Sequence, residues 1–236
     1  MKPDNFVNIK LSRSNMHNFH IRKAILESIE SNLNLFKGKL LDSGCGKMPY
    51  REYILNNSKV TEYIGLDIEE SLEYSTDVKP DFTWDGIKMP FENNSFDCVI
   101  ATEVLEHCPE PNVFLKEVFR VLKKDGVLFF TVPFLWNLHE VPNDEYRYTP
   151  FSMERLLSNE GFKNIKIKAS GGWHASMAQM IGLYVGRAPM NRFKRRLLKP
   201  LLYLPYKRLI NKAKTENISF NEGQMITGLS GTCLKK

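Results

Sequence analysis

The sequence predicts an α/β fold in which helices cover both faces of a mostly parallel sheet. Short apolar runs typical of buried strands alternate with segments of helical periodicity along residues 15–133. A Gly-Cys-Gly turn directly follows the first apolar run. The run at 127–133 is almost continuously apolar, which is typical of a parallel strand buried on both faces. Together these features predict a sheet that opens with a strand, a tight turn and a helix, as nucleotide-binding folds do.

The first predicted helix covers residues 15–36, because its isoleucines recur at every fourth position and therefore share one face. A strand at 39–43 leads into the glycine turn, and a helix follows at 50–56. Three apolar runs then predict the next strands of the sheet. These runs are 62–67, 81–84 and 96–102.

The second half of the chain begins with a predicted helix over 112–124, in which Lys123 and Lys124 occupy the C-terminal turn that favours cations. Asp125-Gly126 turns the chain into the strand at 127–133. Further along, the pattern predicts a helix over 151–159 and strands over 162–169 and 224–234. The helical and basic stretch before that last strand contains three prolines, which we expect to divide its later part into short pieces. They are Pro189, Pro200 and Pro205.

Composition excludes several classes of protein. A chain of 236 residues that is 42% hydrophobic and 25% charged can bury a complete core, which excludes disordered and collagen-like chains. No apolar run is long enough for a membrane-spanning helix, and Met-Lys-Pro-Asp-Asn at the start does not lead into the apolar segment of a secretory signal. The four cysteines lack metal-site or disulfide-framework spacing. We therefore expect a cytoplasmic protein with reduced thiols.

The positive charge is concentrated in one segment. Residues 187–214 contain ten basic side chains and no acidic one, whereas the rest of the chain has 23 basic and 27 acidic residues. Such a segment is typical of contact with an anionic partner, such as a phospholipid surface, a nucleic acid or a pyrophosphate-bearing substrate. Leucines interleave with these charges as in interfacial helices, although a solvated face with leucines in the core would show the same pattern.

The glycine turn and one carboxylate predict a nucleoside site. Gly44 and Gly46 allow backbone N–H groups to approach a ligand, and Asp67 closes the next predicted strand 21 residues after Gly46. A carboxylate at that position can accept hydrogen bonds from both ribose hydroxyls. Pro49 occupies the place of the third glycine in a dinucleotide fingerprint, which disfavours a nicotinamide dinucleotide.

Five segments in order resemble the motifs of class I S-adenosylmethionine-dependent methyltransferases. They are 41–46 (Leu-Asp-Ser-Gly-Cys-Gly), 63–67 (Tyr-Ile-Gly-Leu-Asp), 91–100, 103–107 (Glu-Val-Leu-Glu-His) and 120–126. The resemblance covers about residues 38–134. Segments 133–140 and 146–150 are also similar to a bacterial subgroup associated with cell-surface glycan assembly. The family implies a Rossmann-like, seven-stranded sheet whose last strand is antiparallel, with a helical insertion before that strand. Met48 departs from the family pattern, which commonly has glycine there.

The resemblance implies S-adenosyl-L-methionine as the cofactor. It places Asp67 on the ribose, Asp85 at the adenine amino group and Ile68 with Gly86 beside the ring, although Asp85-Gly86 could also be an ordinary turn. The other residues assigned to the cofactor are Asp42, Gly44, Cys45, Gly46 and Glu103.

Transfer to a hydroxyl group requires a base, and histidine is suited to this role at neutral pH. We assign catalysis to His107 and His139, with structural roles as the alternative. The residues assigned to the acceptor are Glu140, Tyr146, Arg147, Tyr148 and His174, although the 146–148 cluster could equally be a lid that packs on itself.

A metal site is the sharper alternative at Glu103, Glu106 and His107. Their i, i+3, i+4 spacing would place all three on one helical turn, and similar sets bind a divalent metal in some methyltransferases. The sequence identifies no fourth ligand for such a metal ion, and His139 is the one residue we can suggest for it. We therefore assign no metal ion.

We predict one methyltransferase domain over 1–236. It comprises an N-terminal helical segment (1–37), a cofactor-binding core (38–170), a basic helical insertion (171–214) and a final strand segment (215–236). The expected reaction is O-methylation of a sugar, a lipid-linked glycan or another small molecule. The expected location is cytoplasmic, with residues 187–214 docking on the inner membrane face. The alternatives are an RNA methyltransferase, which is less favoured because no RNA-binding module is evident, and a non-catalytic scaffold.

Overall fold

The computed structural model describes residues 6–68 and 78–236. Five residues of the N-terminus, where the sequence predicts no secretory signal, lie outside that part. The described residues form a sheet of seven strands in the order β3-β2-β1-β4-β5-β7-β6. The strands are β1 (Lys37–Ser43), β2 (Lys59–Ile68), β3 (Phe82–Trp84), β4 (Phe96–Thr102), β5 (Leu122–Pro133), β6 (Lys163–Ala169) and β7 (Gly228–Leu234).

The direction of the strands confirms the predicted topology. Strands β1 to β5 are parallel to one another. Strand β7 lies between β5 and β6 and is antiparallel to both. Strand β6 therefore runs in the same direction as β5. All carboxyl ends of β1 to β6 consequently meet at one edge of the sheet, where ligands bind in open α/β folds.

Six α-helices accompany the sheet among the described residues. They are α1 (Phe19–Asn32), α2 (Arg51–Asn57), α3 (Pro111–Val121), α4 (Pro150–Asn159), α5 (Trp173–Arg187) and α6 (Arg192–Ala213). Helix α1 contributes Ile25 and Ile29 to a core on one face of the sheet, where they join Phe36 and Phe129. Helix α3 contributes Phe114, with its neighbours, to the core on the other face. The prediction of helices on both faces is confirmed.

The end of α3 differs from the prediction. The helix stops at Val121, and Lys123 and Lys124 lie in β5 instead of in the last helical turn. Strand pairing explains the change, because Leu122 already pairs with Phe96 of β4. The Lys123 ammonium forms an ion pair with Asp97 at 2.8 Å instead of facing the helix C-terminus.

The later part of the insertion also differs from the prediction. Pro200 and Pro205 do not break the chain, because α6 continues through both. Both prolines are exposed, whereas Tyr206 and Ile210 of the same helix are buried in a core formed with Met16. Tertiary packing therefore offsets the cost of proline inside a helix. Among the described residues, no helix combines the length and the apolar content that crossing a bilayer requires.

Candidate active site

The glycine turn after β1 is held against the end of β2. The backbone N–H groups of Gly44 and Cys45 donate to the carbonyl oxygen of Leu66, at 2.8 and 3.1 Å. Gly44 has φ +77°, and a Cβ there would lie 2.5 Å from a methyl carbon of Val104. Only glycine satisfies both the left-handed backbone and the close approach of Val104.

Asp67 connects the ends of the first two strands. Its Oδ2 accepts the Gly46 N–H at 2.9 Å, and its Oδ1 accepts the Ile68 N–H at 2.9 Å. Partial burial raises the pKa of Asp67, while these two hydrogen bonds act in the opposite direction. Each carboxylate oxygen keeps a second lone pair, so Asp67 can still accept two hydroxyl donors.

Asp42 is a buried carboxyl group beneath this turn. Its Oδ2 accepts a short hydrogen bond from the Tyr63 hydroxyl, and its Oδ1 has no hydrogen-bond partner. Burial raises the pKa of Asp42 to about 7. A buried acceptor without a donor is a feature that a cationic ligand group would satisfy. Burial also raises the pKa of the neighbouring Cys45 thiol, which therefore stays protonated and acts as a packing group.

The residues predicted to surround the adenine lie at the ends of two neighbouring strands, with Ile68 at the end of β2 and Asp85 and Gly86 directly after β3. Asp85 is exposed, and its Oδ1 accepts the N–H groups of Ile87 and Lys88 at 2.8 and 3.0 Å. This is the turn geometry that the sequence offered as an alternative. Gly86 has φ +79° with open space around it, and Ile68 is 42% exposed. The adenine contact stays a prediction.

These residues fit S-adenosylmethionine. Asp67 offers free lone pairs for the ribose, Ile68 offers an exposed apolar side chain for the ring, and Asp42 offers an unpaired oxygen for an ammonium group. Met48, the departure from the family pattern, has φ +48°, and a Cβ on Gly65 would meet its sulfur at 2.6 Å. Its side chain therefore lies against β2.

Glu103 and Glu106 follow β4 but do not share a helical turn, which corrects the prediction. The chain forms only a short 3-10 turn over Leu105–His107, and Glu103 precedes it with φ +56°. The Glu103 carboxylate accepts a hydrogen bond from the Thr131 hydroxyl at 2.8 Å. The Glu106 carboxyl group is fully buried without a hydrogen-bond partner, and burial together with the nearby Glu103 raises its pKa well above the ordinary value.

The loop between β5 and α4, residues 134–149, is fastened to the end of β4. The carbonyl oxygen of Glu106 accepts the N–H groups of Glu145 and Tyr146 at 2.8 and 3.1 Å. Nδ1 of His107 lies 2.8 Å from the carbonyl oxygen of Asn143. A carbonyl oxygen can only accept, so Nδ1 carries a proton and donates it to this bond. We call residues 134–149 the β5–α4 loop.

His139 on the β5–α4 loop belongs to a carboxylate–imidazole pair. Its Nδ1 lies 3.2 Å from Oδ2 of Asp144, and its backbone N–H donates to the same oxygen. Arg147 donates to both oxygens of Asp144, at 2.6 and 2.8 Å, and this pairing holds the pKa of Asp144 well below its usual range. Burial lowers the pKa of His139 from its ordinary value of 6.5, so the ring is neutral near pH 7.

The structure brings the two predicted catalytic histidines together. The rings of His107 and His139 are 4.7 Å apart, and Nε2 of His107 lies 3.7 Å from Glu140 and 3.8 Å from Glu106. Glu106, His107 and His139 each offer one ligand atom, and these atoms lie within 4.8 Å of one another. This set replaces Glu103 of the proposed metal triad with His139, while Glu103 is bound to Thr131.

The remaining predicted acceptor residues have different surroundings. Tyr148 is buried, and its hydroxyl donates to the Leu105 carbonyl oxygen at 3.0 Å. Tyr146 stacks on Tyr148 and donates to the backbone of Pro109. His174 on α5 contacts Glu216 through Nδ1 at 2.8 Å. The two tyrosines therefore pack within the loop that carries His139. This arrangement agrees with the alternative in which the 146–148 cluster is a lid that packs on itself.

Asp144 is the residue that sequence reasoning missed. Its side chain is only 2% exposed, yet it forms contacts to both His139 and Arg147. The signal in the sequence is weak, because an aspartate three positions before an arginine in a loop is common. Only the folded loop shows that this carboxylate accepts the backbone N–H of His139 and lies beside its ring.

Comparison with known proteins agrees with the fold. Residues 41–130 match the model of a methyltransferase domain. The demethylmenaquinone methyltransferase of Staphylococcus saprophyticus is 27% identical over 206 residues, which cover 70% of this chain and 87% of that enzyme. The sterol 24-C-methyltransferase erg6 of Aspergillus fumigatus is 33% identical over 150 residues, which cover 57% of this chain and 37% of that enzyme.

Solved structures share the fold. A SAM-dependent methyltransferase from Archaeoglobus fulgidus superposes with a TM-score of 0.56 at 16% identity, covering 95% of each chain. The [4+2]-cyclase SpnF superposes with a TM-score of 0.56 at 18% identity, covering 92% of this chain and 83% of the cyclase. Residues 41–130 therefore match a methyltransferase domain, and the described sheet has the fold of known S-adenosylmethionine-dependent methyltransferases.

Proposed function

We propose that this protein transfers the methyl group of S-adenosylmethionine to a hydroxyl oxygen of a sugar, a lipid-linked glycan or another small polar molecule. The observation that carries the proposal is the pair of His139 and Asp144 at the edge where the cofactor residues lie. The β5–α4 loop starts at the edge of the sheet near which Asp67 closes β2, because β2 and β5 run in the same direction. This placement supports a single site that contains both a base and the carboxylate predicted to bind the nucleoside.

His139 is suited to remove the proton from an acceptor hydroxyl. Asp144 holds His139 in place by accepting its backbone N–H, and the carboxylate lies 3.2 Å from Nδ1 of the ring, which is neutral near pH 7. S-adenosylmethionine, when bound, would supply an electrophilic methyl carbon that a nucleophile attacks in line, with S-adenosylhomocysteine as the leaving group. The chain contributes alignment and the removal of a proton, and alignment alone accounts for much of the rate in such reactions.

Polar side chains around His139 favour an acceptor with hydroxyl groups. Arg147 carries donors beside Asp144, and the exposed Glu140 carboxylate lies near the His107 ring. Charged and amide groups in this arrangement recognise hydroxyls or phosphate oxygens through hydrogen bonds. The resemblance of the β5–α4 loop to glycan-assembly enzymes points to the same class of acceptor.

Transfer to carbon is the second candidate, and the names of two similar enzymes favour it. They act on demethylmenaquinone and at C-24 of a sterol. A carbon acceptor also loses a proton, so the same histidine could serve. The methylated atom in the product separates the two reactions.

Similarity to a [4+2]-cyclase shows that this fold also carries other chemistry. The experiment below therefore also distinguishes the two other hypotheses, a scaffold without activity and an RNA methyltransferase. The scaffold predicts no methyl transfer to any acceptor, and the RNA enzyme predicts transfer to RNA only.

The test is methyl transfer from S-adenosylmethionine carrying a labelled methyl group. The acceptors are a panel of sugars, lipid-linked glycans, quinols, sterols and RNA, and mass spectrometry with NMR locates the label. We expect a methyl ether on a hydroxyl-bearing small molecule, and His139→Gln should lower kcat by about 10²-fold or more. Lys116→Ala, an exposed change on α3, is the control. A methylated carbon, labelled RNA or full activity of His139→Gln would contradict the proposal.

A further inference from the structure

The outward face of α6 is a row of large apolar side chains. Phe193, Leu197, Leu201 and Leu204 are 73%, 57%, 67% and 60% exposed. Their spacing of four, four and three residues places them on one side of a helix. An exposed row of this length is unusual on a soluble surface, and larger exposed apolar patches mark sites of contact with a partner.

The fold does not need this row. The opposite face of α6 carries a second apolar set that packs in a core with Met16 and Phe19 of the N-terminal region. That set comprises Leu198, Leu202, Tyr206, Leu209 and Ile210. Helix α6 is therefore fixed to the protein by one face and presents the other to the surroundings.

Helix α5 carries a similar exposed row. Trp173, Met177, Met180 and Tyr184 are each between 46% and 55% exposed, with spacings of four, three and four residues. Residues 188–191 connect α5 to α6, and Glu216 just after α6 contacts His174 at the start of α5. The two helices therefore form an antiparallel hairpin with an exposed apolar row on each helix.

Cations border the row on α6. At 100° per residue, Lys194 and Lys212 lie on one side of the row and Arg196 and Lys207 lie on the other, while Arg208 lies in line with the row, one turn after Leu204. All five are exposed. Within the described ranges 6–68 and 78–236, none of the ten basic residues of 187–214 forms an ion pair with a carboxylate. The charge is available to an anionic partner.

We propose that the α5–α6 hairpin docks on the surface of a bilayer that contains anionic phospholipids. The apolar row of α6 enters the boundary between headgroups and acyl chains, and the bordering lysines and arginines contact lipid phosphates. A second copy of the chain is a poorer occupant, because it would bring two segments of ten cations together. RNA would neutralise the cations but would leave the apolar row of α6 in water.

Docking in this way also orients the active site. Three residues separate the end of β6 from the start of α5. Because β6 runs in the same direction as β5, α5 starts at the edge of the sheet that carries the candidate site. The hairpin would bring that edge close to the membrane. The inference does not depend on the reaction proposed above, since binding to vesicles requires neither the cofactor nor an acceptor.

Vesicle flotation of the full chain tests the proposal. The vesicles contain phosphatidylcholine alone or mixed with phosphatidylglycerol. We expect flotation only with the anionic vesicles, and weaker binding as salt is raised. Two α6 variants should each reduce binding at least about tenfold: Leu197→Ser with Leu201→Ser, and Arg196→Glu with Lys207→Glu and Arg208→Glu.

Matched changes elsewhere separate docking from general effects of charge and exposure. Phe151→Ser alters an apolar side chain on α4 that is 63% exposed. Lys59→Glu with Lys116→Glu and Lys124→Glu reverses three exposed lysines away from the hairpin. Both controls should bind like the original protein, and circular dichroism should show every variant folded.

Three results would overturn the proposal. The first is equal flotation with neutral and anionic vesicles, or none with either. The second is a dimer in sedimentation analysis that Leu197→Ser with Leu201→Ser converts to a monomer while flotation is absent. The third is tighter binding to a single-stranded RNA probe than to anionic vesicles.

Discussion

At the scale of single residues, the contact between His139 and Asp144 is the feature on which the proposed chemistry depends. Burial lowers the pKa of His139, whereas the Asp144 carboxylate acts to raise it. The base must be neutral, so activity is lost as pH falls through the pKa of His139 in the enzyme–substrate complex. In the unliganded protein the pKa of His139 lies below its ordinary value of 6.5. We therefore expect the acid limb of the kcat/KM profile to lie below pH 6.5.

Asp144→Asn should separate orientation from charge. Removal of the carboxylate lowers the pKa of His139 further, so the acid limb of the kcat profile should move to lower pH. The maximal kcat should also fall by about tenfold or more, because an amide cannot form the two-oxygen pairing with Arg147 that holds the loop around His139. The check is a pH profile of labelled methyl transfer from pH 4 to 9. A lower kcat with an unmoved acid limb would assign Asp144 a purely structural role.

Residue types alone predicted part of the site. The glycine turn and Asp67 could be predicted because each has a physical reason to stand at a strand end, and the structure joins them through the Gly46 N–H. Asp144 could not be predicted, because its role depends on how the β5–α4 loop folds back onto His107. Glu103 was predicted on a shared helical turn, but its left-handed backbone directs it to Thr131 instead.

At the scale of elements, the turn after β1 is set by one steric contact. Gly44→Ala should lower the free energy of unfolding by about 1–3 kcal/mol, because it combines a left-handed backbone with a Cβ 2.5 Å from Val104. Thermal and urea unfolding measure the change. Val104→Ala in the same chain should recover the steric part of the loss but not the backbone part. Full recovery, or no loss in the single variant, would contradict this explanation.

Periodicity predicted most helices and strands, and packing explains the exceptions. The isoleucines of α1 follow one face, as expected, and form a core with Phe36 and Phe129. Helix α6 contradicts the local rule for proline, because its buried face holds the chain helical through Pro200 and Pro205. Lys123 belongs to β5 because Leu122 pairs with β4, a contact between residues distant in sequence. Local sequence does not encode such contacts.

At the scale of the whole molecule, one edge of the sheet collects the features that matter. Strands β1 and β2 end at the residues predicted to bind the nucleoside, β4 and β5 lead to the histidines, and β6 leads to the α5–α6 hairpin. The parallel direction of the first strands could be predicted from the alternation of strands and helices, and the family resemblance implied the antiparallel last strand. The proximity of the histidines and the two exposed rows could not, because both depend on how loops and helices pack across the sheet.

Calorimetric titration with S-adenosylhomocysteine is the most direct test of the central claim, which is that the turn after β1 and Asp67 form one nucleoside site. We expect a single binding event for the original protein and loss of at least about tenfold in affinity for Asp67→Ala, because each lost hydrogen bond to a charged group is worth about 1.5–3 kcal/mol. Lys116→Ala should bind normally. No heat of binding to the folded protein, or unchanged affinity of Asp67→Ala, would contradict the account.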